Sequence, residues 1–238
     1  DFESRLFAKS NIVEALENDL RKPGYRCKAI MLGANTDPYQ PIERQHRLTR
    51  QVLEVLEAYQ HPVAIVTKSN LVLRDLDILR PMAEKGLASV AVSVTTLDRH
   101  LSRTLEPRAP TPENRLQAIK GLSQAGIPVS VFAAPMIPVL NDAELEAILS
   151  AGAGAGATSA SYILLRLSRE LGELFSSWLD VHAPGKKDHV LSLIRQNRDG
   201  ALNDATFGKR MTGSGPLAQL LAKRFHLACR HLSIPAAS

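Results

Sequence analysis

The sequence predicts an α/β fold of repeating strand–helix units, a βα barrel in preference to a doubly wound sheet. Three observations carry this reading. Short β-rich runs alternate with segments of helical periodicity, the pattern of βαβ units on a parallel sheet. Most of these runs are almost continuously apolar, as parallel strands buried on both faces should be. No G-x-G-x-x-G or G-x-x-x-x-G-K-S/T follows any of them, which argues against the common dinucleotide and P-loop sheets.

Five strands are predicted, at 28–32, 63–66, 88–94, 129–134 and 159–165, with helices in the gaps. Ser10 caps a helix through Leu20, and Pro23-Gly24 ends it. Residues 44–59 place Leu48, Val52, Val55 and Leu56 on one helical stripe. Asn70 caps a helix over 71–85, and Gly86 stops it. Thr111-Pro112-Glu113-Asn114 opens the next helix with proline in its first turn, and Ala125-Gly126 closes it. Asn141-Asp142 opens another, ending in the small-residue run 151–157, where a helix packs closely on its strand. Beyond Leu165 the pattern is helical, at 171–182, 188–196 and 217–231, with a polar, Gly-rich loop at 199–215. Residues 168–238 thus read as a helical extension packed on a barrel of residues 1–167.

Composition narrows the function. The 238 residues are 45% hydrophobic and 22% charged, enough for a core and ordinary for a globular chain. The longest apolar runs, 63–66 and 129–138, are too short to cross a bilayer, and no signal peptide opens the chain. Cys27 and Cys229 make neither a disulfide framework nor a metal-ligand spacing, so a cytoplasmic compartment is expected. From Lys186 onward, nine basic side chains stand against three acidic ones, which concentrates the net charge of +5 in the tail. Such a region suits a polyanion such as DNA or RNA; it equally suits a solvated helical surface.

In βα folds ligands sit at the C-terminal ends of the strands. The first strand leads into Gly33-Ala34-Asn35-Thr36-Asp37-Pro38-Tyr39-Gln40-Pro41-Ile42-Glu43, richer in polar and rigid residues than a turn requires. Thr36 and Asp37 are suited to an amine or hydroxyl. Lys68, just past the second strand, suits a carboxylate or phosphate. Ser93, Thr95 and Thr96 follow the third, where they can bond a ribose or cap a helix near Asp98. Glu106-Pro107-Arg108 is a charged pair stiffened by proline, able to present a fork to a carboxylate. Ala134-Pro135-Met136-Ile137-Pro138 offers backbone groups and an apolar wall for a flat ring. There is no nucleophile elbow, no His-x-x-x-His pair and no carboxylate-rich metal cluster. A polar barrel mouth without such machinery points to chemistry supplied by a cofactor.

Taken in order, these strand-end segments, with Val66-Thr67-Lys68-Ser69 and Ser93-Val94-Thr95-Thr96 among them, resemble the radical S-adenosylmethionine (radical SAM) superfamily, in its spore photoproduct lyase-like, DNA repair photolyase-like branch. The resemblance implies an α/β fold of the partial (β/α)6 TIM-like barrel kind. It also implies S-adenosylmethionine as cofactor, a 4Fe-4S cluster on a C-x-x-x-C-x-x-C loop after the first strand, and a 5′-deoxyadenosyl radical that abstracts hydrogen. An electron donor such as flavodoxin or ferredoxin would supply the reductant. This chain has no three-cysteine motif, five strands instead of six, and a start without Met, so the expectation is that the first strand and cluster loop are missing from it. Carried over by position, Asn35, Thr36, Asp37 and Tyr39 lie on the loop that meets the methionine amino end. Lys68 and Arg108 are candidates for its carboxylate or the ribose, Ser93 for the ribose, and Ala134 and Pro135 for the adenine. Two other readings stand beside this one: a nucleic-acid-binding module using the basic C-terminal helices, and a cluster-free barrel lyase in which Lys68 forms a Schiff base.

Overall fold

The computed structural model describes residues 7–168, 171–198, 200–203, 211 and 213–236. Its strands are β1 (Ile30–Leu32), β2 (Val63–Thr67), β3 (Ala88–Ser93), β4 (Val129–Met136) and β5 (Ser159–Leu164). They form one parallel sheet in the order β1-β2-β3-β4-β5. The helices are α1 (Ile12–Leu20), α2 (Glu43–His46), α3 (Leu48–Ala58), α4 (Leu76–Glu84), α5 (Arg99–Leu105), α6 (Pro112–Gln124), α7 (Leu145–Gly154), α8 (Leu171–His182), α9 (Lys187–Gln196) and α10 (Gly215–Leu232). The fold is the partial TIM-like barrel expected from the sequence, an open five-stranded sheet and not a closed one.

Burial alternates along the strands, which corrects the expectation of two buried faces. Val63, Ile65, Val90, Val92, Val129 and Val131 are all at most 3% exposed and pack under the helices. Each such side chain contributes about 1.5–3 kcal/mol by leaving water. Their neighbours on the inner face are incompletely covered, small at Ala64, Ser89, Ala91, Ser130, Ser159 and Ser161 and larger at Met31, Val66 and Phe132. Register aligns this inner face across the sheet, Ala64 beside Ser89, Ala91 beside Ser130, Ser130 beside Ser159. Helices therefore pack on one side of the sheet and leave the other incompletely covered.

Local chemistry moves several helix boundaries. The helix expected over 44–59 breaks at Arg47, which has φ 50° and separates α2 from α3. With no capping side chain at Arg47, buried Glu43 reaches forward and accepts the Thr49 N–H at 3.0 Å. Ser69, not Asn70, caps the next segment by accepting the Leu71 N–H, and that segment is a 3-10 turn before α4 begins. Asp98 caps α5 through the N–H groups of His100 and Leu101. Asn141 does precede the next helical turn, and its carbonyl accepts the Glu144 N–H, but its side chain makes no capping bond.

The C-terminal third divides in two. Helices α8 and α9 build a small core of their own around Phe175, Leu179, Val190 and Ile194, seated on Ile137 from the loop after β4. Helix α10 joins the main core through Leu221 and Phe225 and lies against α7. Past it the chain pairs with β5: the Ala160 N–H donates to the Pro235 carbonyl, and Ala236 bridges to Ala160. Higher on the same strand, Leu164 donates to the Met211 carbonyl, and buried Arg198 donates to the carbonyls of Leu164 and Leu165. Part of the loop expected at 199–215 lies outside the described residues.

Two glycines allow close approaches. The run ending α7 contains Gly152, where an added Cβ would come within 2.5 Å of Val131 on β4. Gly33, after β1, has φ +93°, and a Cβ there would stand 2.0 Å from the Val66 carbonyl oxygen. Gly33→Ala is therefore expected to lower stability by roughly 2–4 kcal/mol, because it adds a backbone clash to an unfavourable φ. Urea denaturation monitored by circular dichroism checks this; an unchanged midpoint would show that the loop shifts without loss.

Candidate functional site

The polar groups of the mouth are organised by two carboxylates. The first is Asp37, brought to the end of β2 by the turn at Gly33. Its Oδ1 accepts the Tyr39 N–H at 2.9 Å and the Thr67 hydroxyl at 2.7 Å, and its Oδ2 accepts the Lys68 N–H at 2.8 Å. Asp37 thus binds the first loop to the second strand. Tyr39 lies beneath the mouth, 2% exposed, and its hydroxyl donates to Asp75 at 3.0 Å. Burial, and then the Asp75 charge, push the Tyr39 phenol far above its ordinary value, so it remains a donor. Asp75 is fully buried and also accepts from Arg74 and Arg50. Two guanidiniums and a phenol offset the cost of taking that charge out of water.

The second carboxylate is Glu106, at the end of α5. Its Oε2 accepts from Arg115 at 2.6 Å and from the Thr95 hydroxyl at 3.0 Å, and its Oε1 lies 3.3 Å from the Lys68 ammonium. Arg115 is 1% exposed and also donates to the Pro110 carbonyl, the Ser93 carbonyl and Thr95 Oγ1. Burial raises the Glu106 carboxyl, but Lys68 and Arg115 together outweigh it and hold the group below the usual carboxylate range.

A third set of bonds fixes the end of β4. The Ser93 hydroxyl donates to the Ala134 carbonyl at 2.8 Å, and Thr95 lies 3.0 Å from the same oxygen. The Asn141 amide donates to the carbonyls of Thr95 and Pro135 while its Oδ1 accepts the Ile137 N–H. Glu144 accepts from the Thr96 hydroxyl and the Leu97 N–H.

The nine residues expected at the site therefore separate. Asn35 and Thr36 are exposed on the first loop, and Arg108 is exposed on the loop after α5. Lys68 is half-buried, its side chain 35% exposed. Asp37, Ser93, Ala134 and Pro135 belong to the framework that holds the strand ends, and Tyr39 packs below it. Sequence reasoning did not single out Arg115 or Asn141. Arg115 sits in the first turn of a helix, where an arginine reads as a solvated residue, and Asn141 reads as a cap.

Two hollows lie off this mouth. One of 570 Å³ adjoins α10 and the tail near the start of β5, and one of 940 Å³ lies between α5 and the start of α6, on the outer side of Glu106. Among the described residues no group of three or more His, Cys, Asp or Glu is placed to hold a metal ion. No helix of the described residues is long and apolar enough to cross a membrane.

The family model of the radical SAM superfamily matches residues 3–151. The chain belongs to the radical SAM superfamily. Among curated relatives it is 36% identical over 181 residues to an uncharacterized protein of Mycobacterium tuberculosis, covering 75% of this chain and 53% of that one. It is 33% identical over 126 residues to an uncharacterized protein of Methanocaldococcus jannaschii, covering 53% of this chain and 47% of that one. The chain thus spans about half the length of these relatives. Among solved structures it resembles spore photoproduct lyase complexed with dinucleoside spore photoproduct, with a TM-score of 0.68 at 15% identity, over 98% of this chain and 67% of that one. It also resembles Streptococcus suis SuiB bound to S-adenosylmethionine, with a TM-score of 0.59 at 12% identity, over 98% and 45% of the two chains. At these identities the likeness is one of fold.

Replacing Asp37 with alanine strands three donors at once. Asp37→Ala is expected to cost about 1–3 kcal/mol of stability. Chemical denaturation tests this, and a neutral result would return Asp37 to the set of residues free to meet a ligand.

Proposed function

We propose that this chain is the S-adenosylmethionine-binding part of a radical SAM enzyme whose cluster ligands lie outside it. The observation that carries this reading is the mouth itself: a half-buried Lys68 ammonium and the exposed Asn35 and Thr36 beside an incompletely covered inner face of the sheet. A zwitterionic amino acid joined to a nucleoside suits such a surface, its carboxylate toward Lys68 and its amino end toward the first loop. On this reading Arg108 and Ser93 would serve the ribose, and backbone groups of Ala134 and Pro135 the adenine. The residues present do not fit an iron–sulfur cluster, because Cys27 is exposed, Cys229 is buried and, among the described residues, no cluster of ligands accompanies either. No step is therefore assigned to a cluster within this chain. In the family, S-adenosylmethionine at a reduced 4Fe-4S cluster supplies the oxidising group that removes hydrogen from substrate. What this chain's residues do is bind and orient the cofactor. Lys68 supplies a cation, and the Asp37 and Glu106 frameworks hold the strand ends still.

This chain alone is expected to bind S-adenosylmethionine without cleaving it. A longer form carrying the upstream cluster segment, reconstituted anaerobically with iron and sulfide, is expected to release 5′-deoxyadenosine when reduced. A cluster-loaded form that releases none would overturn the enzyme reading. The physiological reductant on this reading is a flavodoxin or ferredoxin, and the compartment is the cytoplasm.

We further infer a nucleic-acid substrate, DNA or RNA, from the excess of basic residues beyond Lys186 and from the dinucleoside bound by spore photoproduct lyase. Binding to oligonucleotides is then expected to weaken steeply as salt rises, because phosphate contacts release counterions. A titration that detects no binding to single strands or duplex at low salt would sink this part of the reading.

A further inference from the structure

The strand ends hold two cations and one anion close together, and their exposures differ sharply. Arg115 is 1% exposed, Glu106 14% and Lys68 35%. The innermost guanidinium is engaged at all three nitrogens: it bonds Glu106, Thr95 and the carbonyls of Ser93 and Pro110. The carboxylate is held on one oxygen by Arg115 and Thr95, leaving the other toward Lys68. One positive charge remains once the buried pair is counted as neutral, and it belongs to the member nearest solvent. A lysine alone would be a poor orienting group, because four rotatable bonds and a strongly hydrated head give it many positions. A fixed carboxylate behind it removes that freedom.

We propose that Glu106, locked by Arg115 and Thr95, is a positioning residue that aims the Lys68 ammonium into the barrel mouth. Glu106 does not itself touch the ligand; it acts through Lys68 on an anionic group, which on the functional reading given above is the carboxylate of S-adenosylmethionine. The arrangement joins three parts of the chain: Lys68 follows β2, Thr95 follows β3, and Arg115 comes from α6. The stretch Glu106-Pro107-Arg108 then acquires a role different from a carboxylate fork, since its acidic member faces inward as a support.

A double-mutant cycle tests this. Binding of S-adenosylmethionine to the chain is measured by calorimetry for the native protein, Glu106→Gln, Lys68→Met and the double variant. Glu106→Gln is expected to weaken binding by about tenfold in the native background, the scale of one charge-assisted hydrogen bond, and to have no further effect once Lys68 is gone. Equal weakening in both backgrounds would mark Glu106 as a general structural residue and overturn the proposal. Tighter binding in Glu106→Gln would overturn it too, because the carboxylate would then be a competitor for Lys68. A ligand-free measurement separates this inference from the reading it rests on. Acetylation of Lys68 by an N-hydroxysuccinimide ester, followed by mass spectrometry, is expected to be roughly threefold faster or more in Glu106→Gln, as release from an ion pair permits. Equal labelling rates would defeat the positioning role whatever binds at the mouth. A native chain that binds no S-adenosylmethionine but shows faster Lys68 labelling in Glu106→Gln would defeat only the functional reading. If Glu106→Gln does not fold, Thr95→Val enters the same cycle, since it removes one of the two holds on the carboxylate.

Discussion

Three donors from two successive strand ends converge on the carboxylate of Asp37, and the geometry of the mouth follows from that convergence. A long loop leaving a three-residue strand has many ways to lie. The turn at Gly33 brings it back over β2, and Asp37 then fixes it by taking the Thr67 hydroxyl and two backbone N–H groups. Because one of those N–H groups belongs to Lys68, the same carboxylate sets where the Lys68 backbone stands. The ammonium at the far end of that side chain meets Glu106. Backbone and head of one lysine are thus tied to separate carboxylates on separate loops.

Behind this surface the charges are arranged in depth. Asp75 and Arg115 are buried ions with several hydrogen bonds each; Asp75 pairs with Arg50 of α3 as well as with the adjacent Arg74, and Arg115 pairs with Glu106. Buried ions of this kind add little net stability, because desolvation consumes most of the attraction. They are costly to break and specific in direction, which suits them to hold loops and not to bind ligands. The apolar work is done on the opposite face of the sheet, by valine and isoleucine under the helices.

Much of this was legible in the sequence. Five apolar runs gave five strands, and the helical stripes gave the helices between them. Alternation of burial within strands was not legible, because alanine and serine next to valine read as a continuous buried run. The polar loop after β1 was found, but its residues could not be sorted. An aspartate that clamps two loops and one that greets a ligand look the same in a linear string. Tyr39 belongs to the same loop by position, but only the structure shows that its hydroxyl donates to Asp75. Arg115 left no trace, because its partners at Ser93, Thr95 and Glu106 are set by the crossing of α6 over β3. The split between α2 and α3 also escaped the periodicity, since one left-handed residue at Arg47 changes the path without disturbing the stripe.

The two margins of the sheet are treated unequally. Along β5 the backbone is met by the tail at Pro235, by the Met211 carbonyl and by the guanidinium of Arg198. At the other margin β1 offers only three residues, and Met31 stands 58% exposed on the inner face. The consequence concerns where the sheet can grow. Beside β5 the backbone is already engaged by other parts of this chain, so a further parallel strand would add next to β1, along Ile30, Met31 and Leu32.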